Sequence, residues 1–495
     1  MNGRGVRSFT SAVILLCAAA PRAVRAAPAP APAAEPNQLA ALWEDLGSQD
    51  WPKAAAAILK LVDRGDAAVA MLTRKLEVKK VAVDTGRVAK LIKELNADDW
   101  RTREKAHKQL AEMGPPIVPL LREALRNKPP TEVKVRLEAI LAELDVRSST
   151  SPAVLRRGRA FTILGRIASA RALQAVRALR AKAPEEDRQW IDQVLLNLAE
   201  RAVPPLLDAA GTKARQRNYA DAAGLCGKAV DIAEAADHYA TPRIRAMRDC
   251  LLARAKGGKI PPAALAELNA GAAAGKALPI ESRIGWQFAR GENLLGNSQF
   301  AVKQVQGVWP TAYGVWGGDM AEVVPARQGI TPREGKHMLQ FHHGNFRSSG
   351  PANGCQVCQV VDVSRFREAI RAGKVRAFAS TFFNRVAGNA RTDTRMGMSL
   401  IAYSGSMAQH FALSQRRASI ATRGAGITAD ADPETWEKTA VSMPLPKETS
   451  FLVIQLLAAE DMFNDLKGVE FDGHYADSTF VTLVVETPRP KRSGK

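Results

Sequence analysis

Near residue 290 the spacing of apolar residues changes from three or four to two, and that change limits what the chain can fold into. Before it, the sequence is rich in Ala, Leu and Arg, with apolar positions recurring at helical spacing. After it come short runs: CQVVDV (358–363), VRAFASTFF (375–383), MSLIAY (398–403), FLVIQLL (451–457) and FVTLVV (480–485). Each has strand length, is rich in β-branched or aromatic residues, and is bounded by Gly, Asn, Asp, Pro or Ser. The fold class these rhythms predict is α then β: a helical N-terminal part joined to a C-terminal antiparallel sandwich of two sheets.

The helical part carries an internal repeat. Residues 41–76 align without a gap on residues 90–125. Leu42 falls on Leu91, Leu46 on Leu95, Asp50-Trp51 on Asp99-Trp100, Ala57 on Ala106, Leu61 on Leu110, Gly65 on Gly114, and Leu72 on Leu121. Asp50 and Asp99 stand where a carboxylate can accept the free N–H groups of a helix's first turn. Gly65 and Gly114 stand where a helix ends in a left-handed residue. Residues 156–198 give a further, more degenerate unit. The spacing resembles HEAT-like repeats over about 37–200, which implies an α-solenoid that binds a protein partner or acts as a spacer. The segment 201–285 resembles a tetratricopeptide-type hairpin, with Tyr219, Ala222, Ala223 and Ala229 at packing positions. On such a hairpin Cys226 and Cys250 face each other, as a disulfide or as two buried thiols.

The C-terminal segment 286–487 opens on ENLLGNSQF (292–300), continues through Trp309, Gly317-Gly318 and GKHMLQF (335–341), and closes on EFDGHYADSTFVTLVVE (470–486). These stretches resemble the galactose-binding-like jelly roll of carbohydrate-binding modules. That resemblance implies that the opening stretch is a first strand lying beside the last. It also implies a structural calcium clasping the two, for which Glu292, Asn297, Asp319, Asp472 and Asp477 are the nearby oxygen donors. Without a metal, these acids cap turns. Sugar faces stack on exposed rings, so Trp309, Tyr313, Trp316, Tyr403 and Trp436 are the candidate ligand contacts; packing into one end of the sandwich is the other use of such a cluster. Cys355-Gln-Val-Cys358 leads into a strand and not a helix, which argues against thiol redox chemistry.

Residues 1–26 have a basic start, an apolar run over Phe9–Ala20 and small residues near Ala26, the layout of a signal peptide; 27–36 reads as a Pro/Ala linker and 488–495 as a basic tail. No later segment is apolar enough to span a bilayer. The formal net charge is +20. Arg147 to Lys182 contains nine basic residues and no acid, read here as a solvated helix face, since aromatic interleaving is missing and export argues against nucleic acid. There is no nucleophile elbow, metalloprotease helix or phosphate-cradling loop. The sequence therefore predicts an exported, non-enzymatic binding or scaffold protein of the secreted, periplasmic or cell-envelope space. Its helical repeats take a protein partner and its jelly roll takes a glycan or a protein. A purely structural component of an envelope assembly, or an accessory subunit of a polysaccharide-degrading enzyme, are the other readings.

Overall fold

A computed structural model describes residues 36–76, 84–149, 151–167, 169–183, 185–269, 279–303, 305–343, 354–386, 394–429, 432–460 and 473–486. The expected leader at 1–26, all but the last residue of the linker, the tail at 488–495 and Asp472 lie outside them. No helix among the described residues is long and apolar enough to cross a membrane.

The repeat read from the sequence appears as two three-helix units. The first is α1 (Pro36–Asp45), α2 (Trp51–Asp63) and α3 (Asp66–Leu76). The second is α4 (Thr85–Glu94), α5 (Trp100–Met113) and α6 (Val118–Arg126). Gly65 and Gly114 both take positive φ, as the helix stops require. Asp99 caps α5, its carboxylate accepting from the N–H of Arg101 at 3.3 Å and of Thr102 at 2.9 Å. Asp50 makes no such cap, and Pro52 lacks the N–H that Arg101 offers in the second unit.

The two units do not bury their apolar faces in a common core. The second closes on α7 (Thr131–Ser149), around Leu95, Leu110, Leu121 and Leu137. The first packs instead with α8 (Pro152–Ile167), α9 (Ala170–Lys182) and the start of α10 (Glu185–Arg215), around Leu46, Leu61, Leu72 and Phe161. The expected division at residue 200 falls inside α10, whose first half joins this core while Val203, Leu207 and Ala214 join the next. That next core includes the hairpin α11 (Tyr219–Ala235) and α12 (Thr241–Ala255), followed by α13 (Pro262–Asn269). Cys226 and Cys250 are both buried there as free thiols, so the disulfide alternative is not realised. Burial pushes the Cys226 thiol up to about 12, which keeps it protonated and inert.

Among the described residues the sandwich has eleven strands: β1 (Val305–Gln306), β2 (Trp316–Gly318), β3 (Met320–Val324), β4 (Met338–His343), β5 (Gly354–Asp362), β6 (Val375–Arg385), β7 (Thr394–Tyr403), β8 (Ala421–Thr428), β9 (Glu437–Pro444), β10 (Phe451–Glu460) and β11 (His474–Val485). Sheet I runs β1-β2-β5-β10-β7-β8 and sheet II runs β3-β4-β11-β6-β9. Period-two alternation sends Val357, Val361, Leu452, Ile454 and Leu456 of sheet I inward against Phe341, Phe383, Ala379 and Val481 of sheet II.

The opening stretch 292–300 is not a strand. It crosses the end of the sandwich and ties the two sheets together. The N–H of Leu294 donates to the carbonyl of Val481 on β11 at 2.8 Å. The Asn293 side chain accepts from the N–H of Val481 and donates to the carbonyl of Thr479, each at 2.9 Å. Two residues on, Gly296 is held by the buried amide of Gln359 on β5, which accepts its N–H at 3.0 Å and donates to its carbonyl at 2.9 Å. A side chain at 296 would collide with the Gly314 carbonyl, 2.4 Å from where its Cβ would stand.

Sheet II is docked onto the helices through β9, its edge strand. The outward N–H of Ala440 donates to the Asn197 side chain at 3.2 Å, and its carbonyl accepts from the Gln193 amide, so α10 satisfies backbone groups that an edge would leave open. Beside them, Glu200 of α10 is wholly enclosed between Lys438 of β9 and the His238 imidazole, the latter at 2.5 Å. Arg166 and Glu437 form a second, nearly enclosed pair. Aromatic rings surround the contact: Tyr239 lies 4.2 Å from Phe378, and the Lys438 ammonium sits 5.4 Å from Trp286 and 5.2 Å from Phe382.

Burial alone would raise the Glu200 pKa, but the Lys438 and His238 partners outweigh it and hold the carboxyl down at about 2. The folded protein therefore binds this proton less tightly than the unfolded chain, whose carboxyl titrates near 4.5. Its stabilisation is present above pH 4.5 and is lost as the pH falls toward 2. Thermal melts should show the midpoint dropping across that window, and Glu200→Gln should remove that part of the slope. Lys438→Met, which strands the carboxylate, should cost about 3–5 kcal/mol in urea unfolding.

Candidate ligand-binding face

A sandwich offers two outer faces, and one of them is largely covered. On sheet II, Phe378, Phe480 and Ala440 pack against Leu196 and Tyr239 of the helical part. Residues 325–335 and Trp436 cover a second part of that face, over Tyr475 and Met338, while Glu322 and His342 on β3 and β4 keep contact with water. Trp436 is fixed by its indole N–H, donated to the Thr331 carbonyl at 3.0 Å. The Arg333 guanidinium lies 3.7 Å over the Phe382 ring, and the buried Asp477 carboxylate accepts the N–H groups of Arg333 at 2.8 Å and Glu334 at 3.1 Å. Burial pushes Asp477 up to about 6 against the pull of those N–H groups.

Sheet I is covered at one end only. Its outer side is organised in cross-strand rows over β5, β10, β7 and β8. The first row, Asp362–Phe451–Tyr403, and the second, Val360–Val453–Ile401–Thr422, lie toward a cap formed by Trp309, Met407, Leu413 and the short helix His410–Gln415. His410 is buried 5.6 Å from the Trp309 ring, and burial lowers its pKa, keeping the imidazole neutral. The next rows lie beyond the cap, apart from Cys358, which is buried with it, and change character: Cys358–Gln455–Ser399–Gly424, Gln356–Leu457–Gly397–Gly426, and Gly354–Ala459–Arg395–Thr428.

In this strip the Gln455 amide N–H donates to the Gln356 side-chain oxygen at 2.8 Å, in an exposed position. The pair leaves the donors of Gln356 and the acceptor of Gln455 turned to solvent. Glycines at 424 and 426 let longer neighbours lie flat. A Cβ at 424 would stand 3.0 Å from the Ser399 hydroxyl, and one at 426 would stand 3.3 Å from the Arg395 guanidinium. Residues 354–361, 394–429 and 451–459, which build the strip and its cap, contain no Asp or Glu.

The predicted ligand rings do not form one platform. Trp316 is paired with Gln359, an inward position, and its ring is 1% exposed against Phe300. Tyr403, 4% exposed, is stacked on Phe451 beneath the short helix and hydrogen-bonded to Ser414. Trp309 is half-buried against His410 and Phe411. Tyr313, at 41%, is the one predicted ring that stays exposed; it bridges Val360 at the border of the cap. Tyr313 and Trp316 lie three positions apart, and Gly314, at positive φ, turns the chain between them.

The predicted calcium donors are likewise spread out. Glu292 forms a two-bond ion pair with Arg365 at the surface, at 2.7 and 3.1 Å. The Asn297 amide closes its own turn onto Val302. Asp319 is buried and accepts the N–H of Gln356 at 2.9 Å. Asp477 is spent on the 333–334 backbone, and no cluster of three His, Cys, Asp or Glu suited to a metal occurs among the described residues. The clasp between first and last segments that the resemblance assigned to calcium is made by Asn293. Cys355 and Cys358 are both buried free thiols, the first pushed up to about 12 by burial.

No family model and no curated protein matches the chain. Solved structures do. One is TmCBM61 in complex with β-1,4-galactotriose, 14% identical, aligned over 39% of this chain and 99% of its own, with a TM-score of 0.23. Another is the CBM22-1 xylan-binding domain from Paenibacillus barcinonensis Xyn10C, 14% identical over 40% of this chain and 97% of its own, TM-score 0.24. A third is the enzymatically active domain of bacteriophage CBA120 tailspike protein 4, 12% identical over 39% of this chain and 21% of its own, TM-score 0.22.

Sequence reasoning missed Gln356, Gln455, Ser399, Arg395 and the two glycines. The signal was present as polar interruptions at alternate positions, Gln455 within an apolar run and Gly424 and Gly426 two apart, but only register lines them up. The two rings make the test. Trp316→Ala should cost about 3–5 kcal/mol in unfolding experiments, whereas Tyr313→Ala should stay within about 0.5 kcal/mol.

Proposed function

We propose that this protein is an exported, non-enzymatic binding protein that holds a glycan on the open strip of sheet I. One observation carries this reading: most of the outer face of sheet II is covered, while sheet I keeps a polar, small-residue surface beyond its cap, crossing four strands. The Gln356–Gln455 pair offers donors and an acceptor in a fixed plane, which suits hydroxyl pairs on a sugar ring. Leu457, Gly397 and the neighbouring glycines supply a flat apolar floor for C–H faces, and Tyr313 a ring at the border. A non-catalytic role is favoured because the strip brings no carboxylates with it, and glycoside hydrolysis ordinarily uses two.

The full chain should be slowed in native gels containing soluble polysaccharides. The double variant Gln356→Ala/Gln455→Ala should reduce that retardation at least about tenfold, the loss of one or two hydrogen bonds to ligand. Its melting temperature should stay near wild type. Unretarded wild-type protein across a broad set of neutral and acidic glycans would remove the proposal.

A second reading concerns the helical part. Trp100 and Trp190, at 59% and 55% exposure, are large apolar groups at its surface and favour a protein partner there. The Trp100→Ser and Trp190→Ser variants should then keep full glycan retention while losing a cross-linked complex that the wild type forms in its native envelope extract.

A further inference from the structure

Arginines serve two uses in this chain. Several in the helical part are consumed internally: Arg156 pairs with Glu44, Arg166 with Glu437 and Arg180 with Asp192, while Arg159 donates to the carbonyls of Leu46 and Ser48 at 2.7 Å. The basic run at 147–182 is thus largely tied into the fold. From Thr394 to Ala429, by contrast, the chain contains Arg395, Arg416, Arg417 and Arg423 and no acidic residue. None of these four makes an ion pair among the described residues. The other strands of the strip add no carboxylate over 354–361 or 451–459.

Arg395 is the best placed of the four. It stands in the third row beyond the cap, on the same outer side as Gln356 and Gln455, and is exposed. Its guanidinium lies along the sheet over Gly426, with Nε 3.3 Å and Nη2 3.7 Å from where a Cβ at 426 would be. A glycine there leaves room for a planar five-donor group to lie flat on the strip instead of standing off into solvent. Arg416 and Arg417, exposed in the turn after the short helix, raise the positive potential at the β8 side without neutralising partners.

We propose that the strip selects an acidic glycan, the amides of Gln356 and Gln455 taking ring hydroxyls and Arg395 taking a ring carboxylate or sulfate. This rests on the glycan reading above and adds the charge class of the ligand. A guanidinium accepts such an oxyanion through two parallel N–H bonds, which a neutral sugar cannot supply. Among the described residues Arg395 forms no ion pair, which leaves its guanidinium for the ligand's own acid.

Polygalacturonate, the same polymer with its carboxylates methyl-esterified, heparin and duplex DNA separate the outcomes in titrations of the full chain at low salt. The acid polymer or heparin should bind at least about fivefold more tightly than the methyl ester, the scale of one exposed ion pair, and the advantage should shrink with added salt. Arg395→Gln should abolish the difference between acid and ester. Gly426→Ala, which keeps the charge but obliges the guanidinium to shift on its bed, should weaken acid binding with the melting temperature intact. Equal binding of acid and ester forms, unaffected by Arg395→Gln, would overturn the charge selection and leave glycan binding standing. Binding of no polysaccharide would overturn both. Binding of duplex DNA as tightly as polygalacturonate, with the same sensitivity to Arg395→Gln, would assign the strip to polyanions in general and not to glycans.

Discussion

The enclosed contact between Glu200, Lys438 and His238 decides which surfaces of this protein remain available. A carboxylate and an ammonium removed together from water are costly to separate, because either one alone would remain as an unpaired charge among Tyr239, Trp286, Phe378 and Phe382. The pair therefore holds β9 against α10, and Gln193 and Asn197 complete the attachment by occupying the backbone of Ala440. An edge strand that would invite another chain is covered within the molecule. The helices are thus no remote arm: they form one wall of the sandwich.

From that docking the location of the candidate site follows by elimination. Sheet II has helices over one end and residues 325–335 over the other. Sheet I has a cap only where Tyr403 and Phe451 need shelter from water, and farther along the same strands the outward positions become Gln, Ser, Gly and Arg. Four strands in register convert scattered polar residues into a single surface. The buried first-to-last clasp by Asn293 and the Gln359 bridge to Gly296 fix the end of the sandwich near β2 and β5, so that surface is backed by a rigid frame.

The helical part shows how a repeat in sequence and a repeat in packing can part ways. Units α1–α3 and α4–α6 have matching helices and matching glycine stops, as identical spacing demands. Yet one unit buries its apolar face against α8 and α9 and the other against α7. An apolar stripe specifies that it will be covered and leaves open by which neighbour, since hydrophobic burial has no direction.

By itself the sequence determined the local features whose physics reaches only a few residues. It determined the helices and strands through their periods, the glycine stops at 65 and 114, and the change of architecture near residue 290. It also gave the inertness of Cys355-Gln-Val-Cys358, whose strand setting alternation alone makes plain. What only the tertiary structure decided was which outward residues stay outward. Trp316 and Tyr403 read as ligand rings until register with Gln359 and cover from the short helix buried them. Glu292, Asp319 and Asp477 read as possible neighbours until each took a separate protein partner. Arg395, Gln356 and Gln455, unremarked in the chain, came together across strands β5, β10 and β7, separated by scores of residues. Exposure and proximity are properties of pairs distant in sequence, and no local spacing encodes them.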